Sequence, residues 1–218
     1  MDYIKGAFSG PGAFWMWMII LPSIASLSII IERIIFLLFK FNINATQFWA
    51  QVQKLVMANN IDRAIKLCNA APSAALPRVL KAGLMRANKG EVEISNAIEE
   101  AQLDVVPLVM KRTGALPSIA SIATLLGLLG TIVGLILAFQ AITGAAAEER
   151  STRLAQGIAV AMNTTAFGLI IAIPSLAAYL VLGGVTKKIL DEIDQYSAKL
   201  ENLLVARARG QLVATPQQ

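Results

Sequence analysis

The chain has 218 residues, 56% of them hydrophobic and only 15% charged, with a net charge of +5, one cysteine and no histidine. A soluble domain carries about 25% charged residues, so much of this chain belongs in lipid. The missing histidine removes the usual zinc, haem and Ser-His-Asp chemistries, and the lone Cys68 excludes an intrachain disulfide framework; no cofactor and no enzyme activity are expected.

Residues 1–12 form a short segment with Lys5 as its cation, and Gly6 to Ile31 contains no charge at all. A first span at 13–41 follows, passing Glu32-Arg33, which are expected to pair with each other and snorkel as an interfacial anchor. A cleaved leader fits poorly, because the apolar run ends in Glu32-Arg33 rather than at a small-residue cleavage site. Residues 42–113 read as a helical domain. Its first helix is Ala45 to Met57, with apolar Phe48, Val52, Leu55 and Val56; Asn59-Asn60 then cap Ile61 to Asn69. Pro72 opens a break before Leu76 to Asn88, for which Gly90 is the expected C-cap. From Glu91, Ile94, Ile98, Leu103, Val106 and Val109 recur at helical spacing, and this helix is expected to feed into the second span with Pro107 and Pro117 as bends.

The second and third spans, 114–143 and 154–186, lie in uncharged runs of 35 and 33 residues, Thr113 to Ala147 and Leu154 to Thr186. Each exceeds the roughly 20 residues that cross a hydrocarbon core of about 30 Å. A link at 144–153 makes them an antiparallel hairpin, and residues 187–218 form a charged tail. Nine Lys/Arg fall in 42–113 and five follow Thr186, against Arg150 and Arg153 beside Glu148 and Glu149 in the link. The positive-inside rule therefore places the 42–113 domain and the C-terminus in the cytoplasm, with the N-terminus and link outside. This distribution accounts for the basic charge without nucleic acid.

On a helical wheel Ala120, Thr124, Gly127, Thr131, Gly134 and Ala138 share one narrow face of the second span. Gly157, Ala161, Thr165, Gly168, Ala172 and Ser175 do the same on the third. Such small faces let helices approach closely. They also put hydroxyls at Thr131 and Thr165 near mid-depth, where they could line a water-filled path or bond a partner's carboxylate. Neither long span contains Asp, Glu, Lys or Arg, so an ion relay through them needs a carboxylate from another subunit.

The run Gly127-Leu128-Leu129-Gly130-Thr131-Ile132-Val133-Gly134, then Gly157-Ile158-Ala159 and Thr164-Thr165-Ala166-Phe167-Gly168-Leu169-Ile170-Ile171-Ala172-Ile173-Pro174, resembles the paired signature of the MotA/TolQ/ExbB proton-channel family. Gly10-Pro11-Gly12, Met16-Trp17, Ile31-Glu32-Arg33, Asp62-Arg63-Ala64 and Arg78 to Gly83 extend the resemblance over nearly the whole chain. Three spans rather than four make it more similar to ExbB and TolQ than to MotA.

The resemblance implies a homopentamer in the bacterial inner membrane, its second and third helices surrounding a pore. That pore would house the single-span helices of an ExbD/TolR-type dimer whose Asp carries the proton, coupled to a TonB-like or TolA-like transducer. It also implies that Thr131 and Thr165 face the pore. Thr164 and Thr124 join them as expected ion-pathway residues, with Gly127, Gly134, Ala161, Gly168 and Ala172 as the small residues of the pore face. Two positions depart from the family pattern: Val160 stands where a Glu is found, and Thr124 where a Pro opens the Leu-Leu-Gly block. The first removes an acidic residue that could tune ion entry, and the adjacent Thr164-Thr165 pair offers hydroxyl ligands to a small hard cation, so both proton and sodium stand open.

The expected protein is thus an all-α membrane subunit that uses the proton motive force to energise a partner complex in TonB-dependent outer-membrane transport. TolQ-like envelope maintenance and a gliding-motility stator are its near alternatives. A non-conducting membrane scaffold for a partner helix is the alternative of a different class. An intramembrane enzyme would need a nucleophile with its base, and the sequence offers none.

Overall fold

The computed structural model describes residues 13–41, 43–144 and 146–209. The expected segment 1–12, with Lys5 and the Gly10-Pro11-Gly12 match, and the last residues of the 187–218 tail lie outside the described residues. All regular structure among the described residues is helical: α1 Ala13–Ile34 continued by a π-helical stretch Ile35–Phe41, α2 Ala45–Met57, α3 Ile61–Ala70, α4 Ala75–Met85, α5 Glu91–Met110, α6 Ala115–Thr143 and α7 Ala147–Ala208. Among the described residues three helical stretches, within Phe14–Met57, Glu91–Thr143 and Ala147–Ala208, are long and apolar enough to cross a membrane. The chain divides into two compact units, one of Met1–Glu32 with Arg112–Val181 and one of Arg33–Lys111 with Leu182–Gln218.

In the first unit α6 and the N-terminal part of α7 meet through small residues and α1 buries Met16, Ile19 and Ser26, while many large apolar side chains face outward. Phe14, Trp17, Leu21, Ile24 and Leu27 of α1 are exposed, as are Leu125, Ile136, Ile170 and Ile173 of α6 and α7. This inverts the pattern of a soluble core. In lipid an exposed Leu costs nothing, and van der Waals contact between closely approaching backbones holds helices together.

The second unit has a conventional core. Val52 and Val56 of α2, Ala64 and Cys68 of α3, Leu76, Val79, Leu80 and Leu84 of α4, and Ile94, Ile98, Val105 and Val109 of α5 are all buried. The C-terminal part of α7 supplies Leu182, Ile189, Ile193, Tyr196, Leu200 and Leu204, whose steps of seven, four, three, four and four residues make one apolar stripe along a helix. A Cβ added at Gly83 would stand 2.8 Å from the Ile98 side chain and 3.2 Å from that of Leu200, so α4 touches both neighbours closely.

Several expected boundaries move. Asn60 occupies the N-cap position of α3 without a side-chain cap bond. Asn59, at φ 61°, instead ends α2 in a Schellman arrangement, with Asn59 N–H on the Val56 carbonyl and Asn60 N–H on that of Leu55. Helix α4 stops at Met85, and residues 86–89 continue as tight turns, Arg86 N–H to Gly83 O and Ala87 N–H to Leu84 O. Gly90, expected to cap that helix, has φ 107° and starts α5 instead, its carbonyl accepting from Ile94 N–H.

Helix α5 does not run on into α6. Arg112 takes the left-handed conformation at φ 61° and breaks the chain of bonds, and α6 begins at Ala115. Pro117 then sits in the first turn, where a missing N–H costs nothing. Pro107 does lie inside α5. The link is also shorter than 144–153, because α7 already begins at Ala147. Glu148 and Glu149 favour a helix N-terminus, and Glu149 pairs with Arg153 at 2.8 Å, one turn on.

Glu32 and Arg33 each have a partner well beyond their own turn. Arg112 donates to Glu32, which fastens the left-handed turn to α1. Arg33 is 2% exposed and its guanidinium donates to the carbonyls of Leu108 and Val109 at 3.3 and 3.4 Å, where the last turn of α5 leaves them free.

Candidate functional site

Between α6 and α7 the small faces read from the sequence meet each other. A Cβ placed on Gly127 would lie 2.9 Å from the Thr164 carbonyl oxygen and 3.3 Å from the Gly168 Cα, and one on Gly168 would lie 2.7 Å from the Ala123 carbonyl oxygen. These obstacles are backbone atoms, which cannot swing aside. Gly134 faces the methyl group of Ala161 first, at 2.9 Å, with the Ala161 Cα behind it at 3.1 Å, and Gly157 faces the methyl group and Cα of Ala138. Gly127, Gly134, Ala161, Gly168 and Ala172 are buried by this contact within one chain. Gly130 belongs to the seam too, its missing side chain leaving room for the side chain of Thr164. The wheel argument left it out, although three- and four-residue steps link it to Gly127 and Gly134.

This close approach creates a polar cluster in an otherwise apolar stretch. The Thr131 hydroxyl lies 3.1 Å from both the Gly127 and the Ala161 carbonyl oxygens, 3.4 Å from the Thr164 hydroxyl, and in direct contact with the Thr165 hydroxyl. Thr164 reaches Ala161 O at 2.7 Å and Gly127 O at 3.2 Å, and Thr165 reaches Gly127 O at 3.2 Å. Each carbonyl already accepts the N–H four residues on in its own helix, which leaves two lone pairs for three hydroxyl protons; Thr164 can take the Ala161 carbonyl, Thr165 that of Gly127, and Thr131 the Thr165 hydroxyl, so every donor is satisfied inside the seam. Each hydroxyl retains acceptor capacity.

The three threonines are not equivalent. Thr164 is 1% exposed and fixed on both helices, whereas Thr131 and Thr165 are only half-buried. Thr124 is not brought to the cluster; it sits about two turns away and its hydroxyl returns to the Ala120 carbonyl of its own helix at 3.0 Å.

Toward the α6–α7 connection the seam opens into a crevice of about 410 Å³ lined by Gly134, Ala138, Gly157 and Val160, with Gln156 and Arg153 at the polar side. Val160 thus puts an apolar surface on this crevice. Ser175, the last residue of the small face on α7, meets a partner that sequence reasoning did not single out: Ser26 of α1, at 2.6 Å.

Long apolar helices closed by a glycine seam around buried hydroxyls define a polytopic α-helical membrane protein. Residues 72–195 match the MotA/TolQ/ExbB proton channel family, and the chain belongs to it. It is similar to the biopolymer transport protein ExbB of Aquifex aeolicus, 36% identical over 100 residues that span 45% of this chain and 66% of that one. It is likewise similar to biopolymer transport protein exbB1 of Vibrio cholerae, 35% identical over 104 residues and 46% of each chain. The Tol-Pal system protein TolQ of Haemophilus influenzae is 41% identical over 68 residues, 31% of this chain and 29% of that one. The matches thus span about half to two thirds of the two ExbB proteins. The branch is that of ExbB and TolQ, a channel and transport family of membrane proteins.

Proposed function

We propose that the chain is an inner-membrane channel and stator subunit of the ExbB type, which uses the proton motive force to energise a TonB-like transducer. Five copies surround the single-span helices of an ExbD/TolR-type dimer, with the α2–α5 domain and the C-terminus in the cytoplasm. The observation that carries this reading is the half-buried pair Thr131 and Thr165 in a stretch with no charged residue. In a medium of low dielectric a partner's carboxylate is costly to ionise without hydrogen-bond donors beside it. A threonine hydroxyl whose proton rests on a carbonyl of the seam can turn to a carboxylate, exchanging one hydrogen bond for a stronger charge-assisted one. When that carboxylate takes up a proton, the hydroxyl returns to the backbone. In this scheme Thr164 is a positioning residue that holds the two helices at the required spacing. Resemblance to ExbB and TolQ supports the partners and the proton as the ion.

The test is flux. Chain and single-span partner, reconstituted together in liposomes, should acidify the lumen when an inward proton gradient is imposed, and neither component should do so alone. Absence of flux from a correctly assembled complex would favour the scaffold reading. One observation speaks for that alternative: every hydroxyl in the cluster already has a partner within the chain. A role like that of TolQ remains the nearest variant, supported by the similarity to the Haemophilus protein.

A further inference from the structure

In the second unit, α3, α4 and α5 carry two complementary surfaces that the threonine cluster does not use. On α5, Val92, Leu103 and Met110 are 71%, 70% and 54% exposed. At about 100° per residue they fall within about 20° of one line along the helix, and Glu99 falls on the same line with Glu100 beside it. This is the face opposite buried Ile94, Ile98, Val105 and Val109, and nothing among the described residues covers it. Between α3 and α4 runs a groove of about 350 Å³ with Pro72, Pro77, Ala82 and Met85 in its wall and Arg78 and Lys81 beside them. Met85 is 63% exposed.

Charge separates these surfaces from the rest of the domain. Glu93 pairs with Arg86 and Glu91 with Arg209 inside the chain. Arg78, Lys81, Glu99 and Glu100 have no ion-pair partner among the described residues. One surface is therefore apolar with two unpaired cations, and the other is apolar with two unpaired anions.

We infer that the α3–α4 groove of one copy receives the outer face of α5 of a second copy, Leu103 entering beside Met85 while Glu99 and Glu100 meet Arg78 and Lys81. Because the two patches differ, the contact is head-to-tail, the kind that closes into a ring rather than stopping at a two-fold dimer. The inference rests on the reading of the chain as a multi-copy assembly and names the surface by which the cytoplasmic parts recognise each other.

The experiment mixes two differently tagged full-length chains in one membrane, one carrying Met85→Cys and the other Leu103→Cys, so that an 85–103 disulfide joins only different copies. Both chains also carry Cys68→Ala, because Cys68 lines the same groove as Met85 and would otherwise compete for either new thiol. Mild oxidation should give a cross-linked pair bearing both tags. The double reversal R78E/K81E should lower its yield roughly tenfold, as expected for about 1.4 kcal/mol from reversing exposed ion pairs, and adding E99K/E100K to the same chains should restore it. Native mass spectrometry of the same samples separates the outcomes. An assembly of normal mass with no 85–103 cross-link, or with a yield indifferent to charge reversal, overturns this interface and leaves the multi-copy reading standing. A monomer of the unmodified chain overturns both.

Discussion

Ser26 and Ser175 share a buried 2.6 Å hydrogen bond that joins α1 to α7, and its direction is fixed. The Ser175 hydroxyl already donates to the Ile171 carbonyl of its own helix at 2.7 Å, so Ser26 is the donor and Ser175 the acceptor. The bond is a polar contact between α1 and α7 inside the first unit.

Removing the donor should cost little. Ser26→Ala leaves the Ser175 proton on its backbone acceptor, and a loss of about 0.6 kcal/mol is expected for such a bond between membrane helices. Ser175→Ala strands the Ser26 proton and should cost about 1 kcal/mol or more. Thermal unfolding in detergent checks both, and the double variant should lose less than the sum of the two singles.

Replacing Gly168 by Ala puts a methyl group 2.7 Å from the Ala123 carbonyl oxygen, and the helices must separate to admit it. A loss of about 1–3 kcal/mol is expected, in the range of overpacked cores. Gly184→Ala meets nothing within 4 Å and should be neutral or stabilising by up to about 1 kcal/mol through helix propensity. Equal effects at the two positions would mean that the seam is not held by backbone contact.

Thr131→Val and Thr165→Val keep the shape of the side chain and remove its proton. Both variants should copurify with the single-span partner at normal yield and lose gradient-driven activity, Thr165 more severely. Thr164→Val should act differently, lowering thermal stability by about 1 kcal/mol because the seam loses a buried donor to the Ala161 carbonyl. The measurements are partner recovery, energy-dependent uptake and melting temperature on each variant; full activity in the Thr131/Thr165 double variant would assign these residues to packing alone.

How much of this was legible in the sequence varies by element. The charge-free runs locate the membrane helices, and the three- and four-residue recurrence of Gly, Ala and Thr identifies the faces that meet. The break after Met110 escaped, because helical periodicity continues through Val109 and nothing in an arginine signals a left-handed turn; the Glu32 contact that accompanies it joins residues 80 positions apart. The C-terminal stripe was legible but overlooked. Ile189, Ile193, Tyr196, Leu200 and Leu204 keep strict helical spacing, yet Lys187 and Lys188 before them and Asp191 and Asp194 among them give the segment the look of a polar tail. Partner choice within the threonine cluster depends on a helix separation that only the assembled seam defines.

Membrane sidedness has a direct check. A Cys at Ala146 should react with an impermeant maleimide from outside the cell, and a Cys at Lys89 only once the inner membrane is opened. Labelling in the opposite order would reverse the orientation argued from the cations.

Cys68 offers a pH-dependent signal from the second unit. Burial pushes its thiol from 9.0 up to about 11, opposed in part by the nearby Lys81. A group whose pKa is higher in the folded state stabilises that state fully below the unfolded value and loses the contribution as pH rises toward the folded one. Alkylation of the native protein should therefore be slow at pH 8 to 9 and accelerate as the pH approaches 11, while protein in denaturant reacts readily at pH 9. Fast alkylation of the folded chain at pH 8 would show that the thiol is accessible and α3 loosely docked.

The α6–α7 seam also constrains how this sequence can drift over generations. Gly157 is tolerated only as glycine while Ala138 faces it, its absent Cβ standing 3.0 Å from the Ala138 Cα, and Gly134 stands likewise against the Ala161 methyl. At each of these two levels there is room for one methyl group between the helices. A lineage can move that methyl from one helix to the other by passing through the glycine–glycine state, but not through the alanine–alanine state. Paired, opposite exchanges at 138 with 157 and at 134 with 161 are therefore the substitutions expected among descendants that keep the helices at this distance.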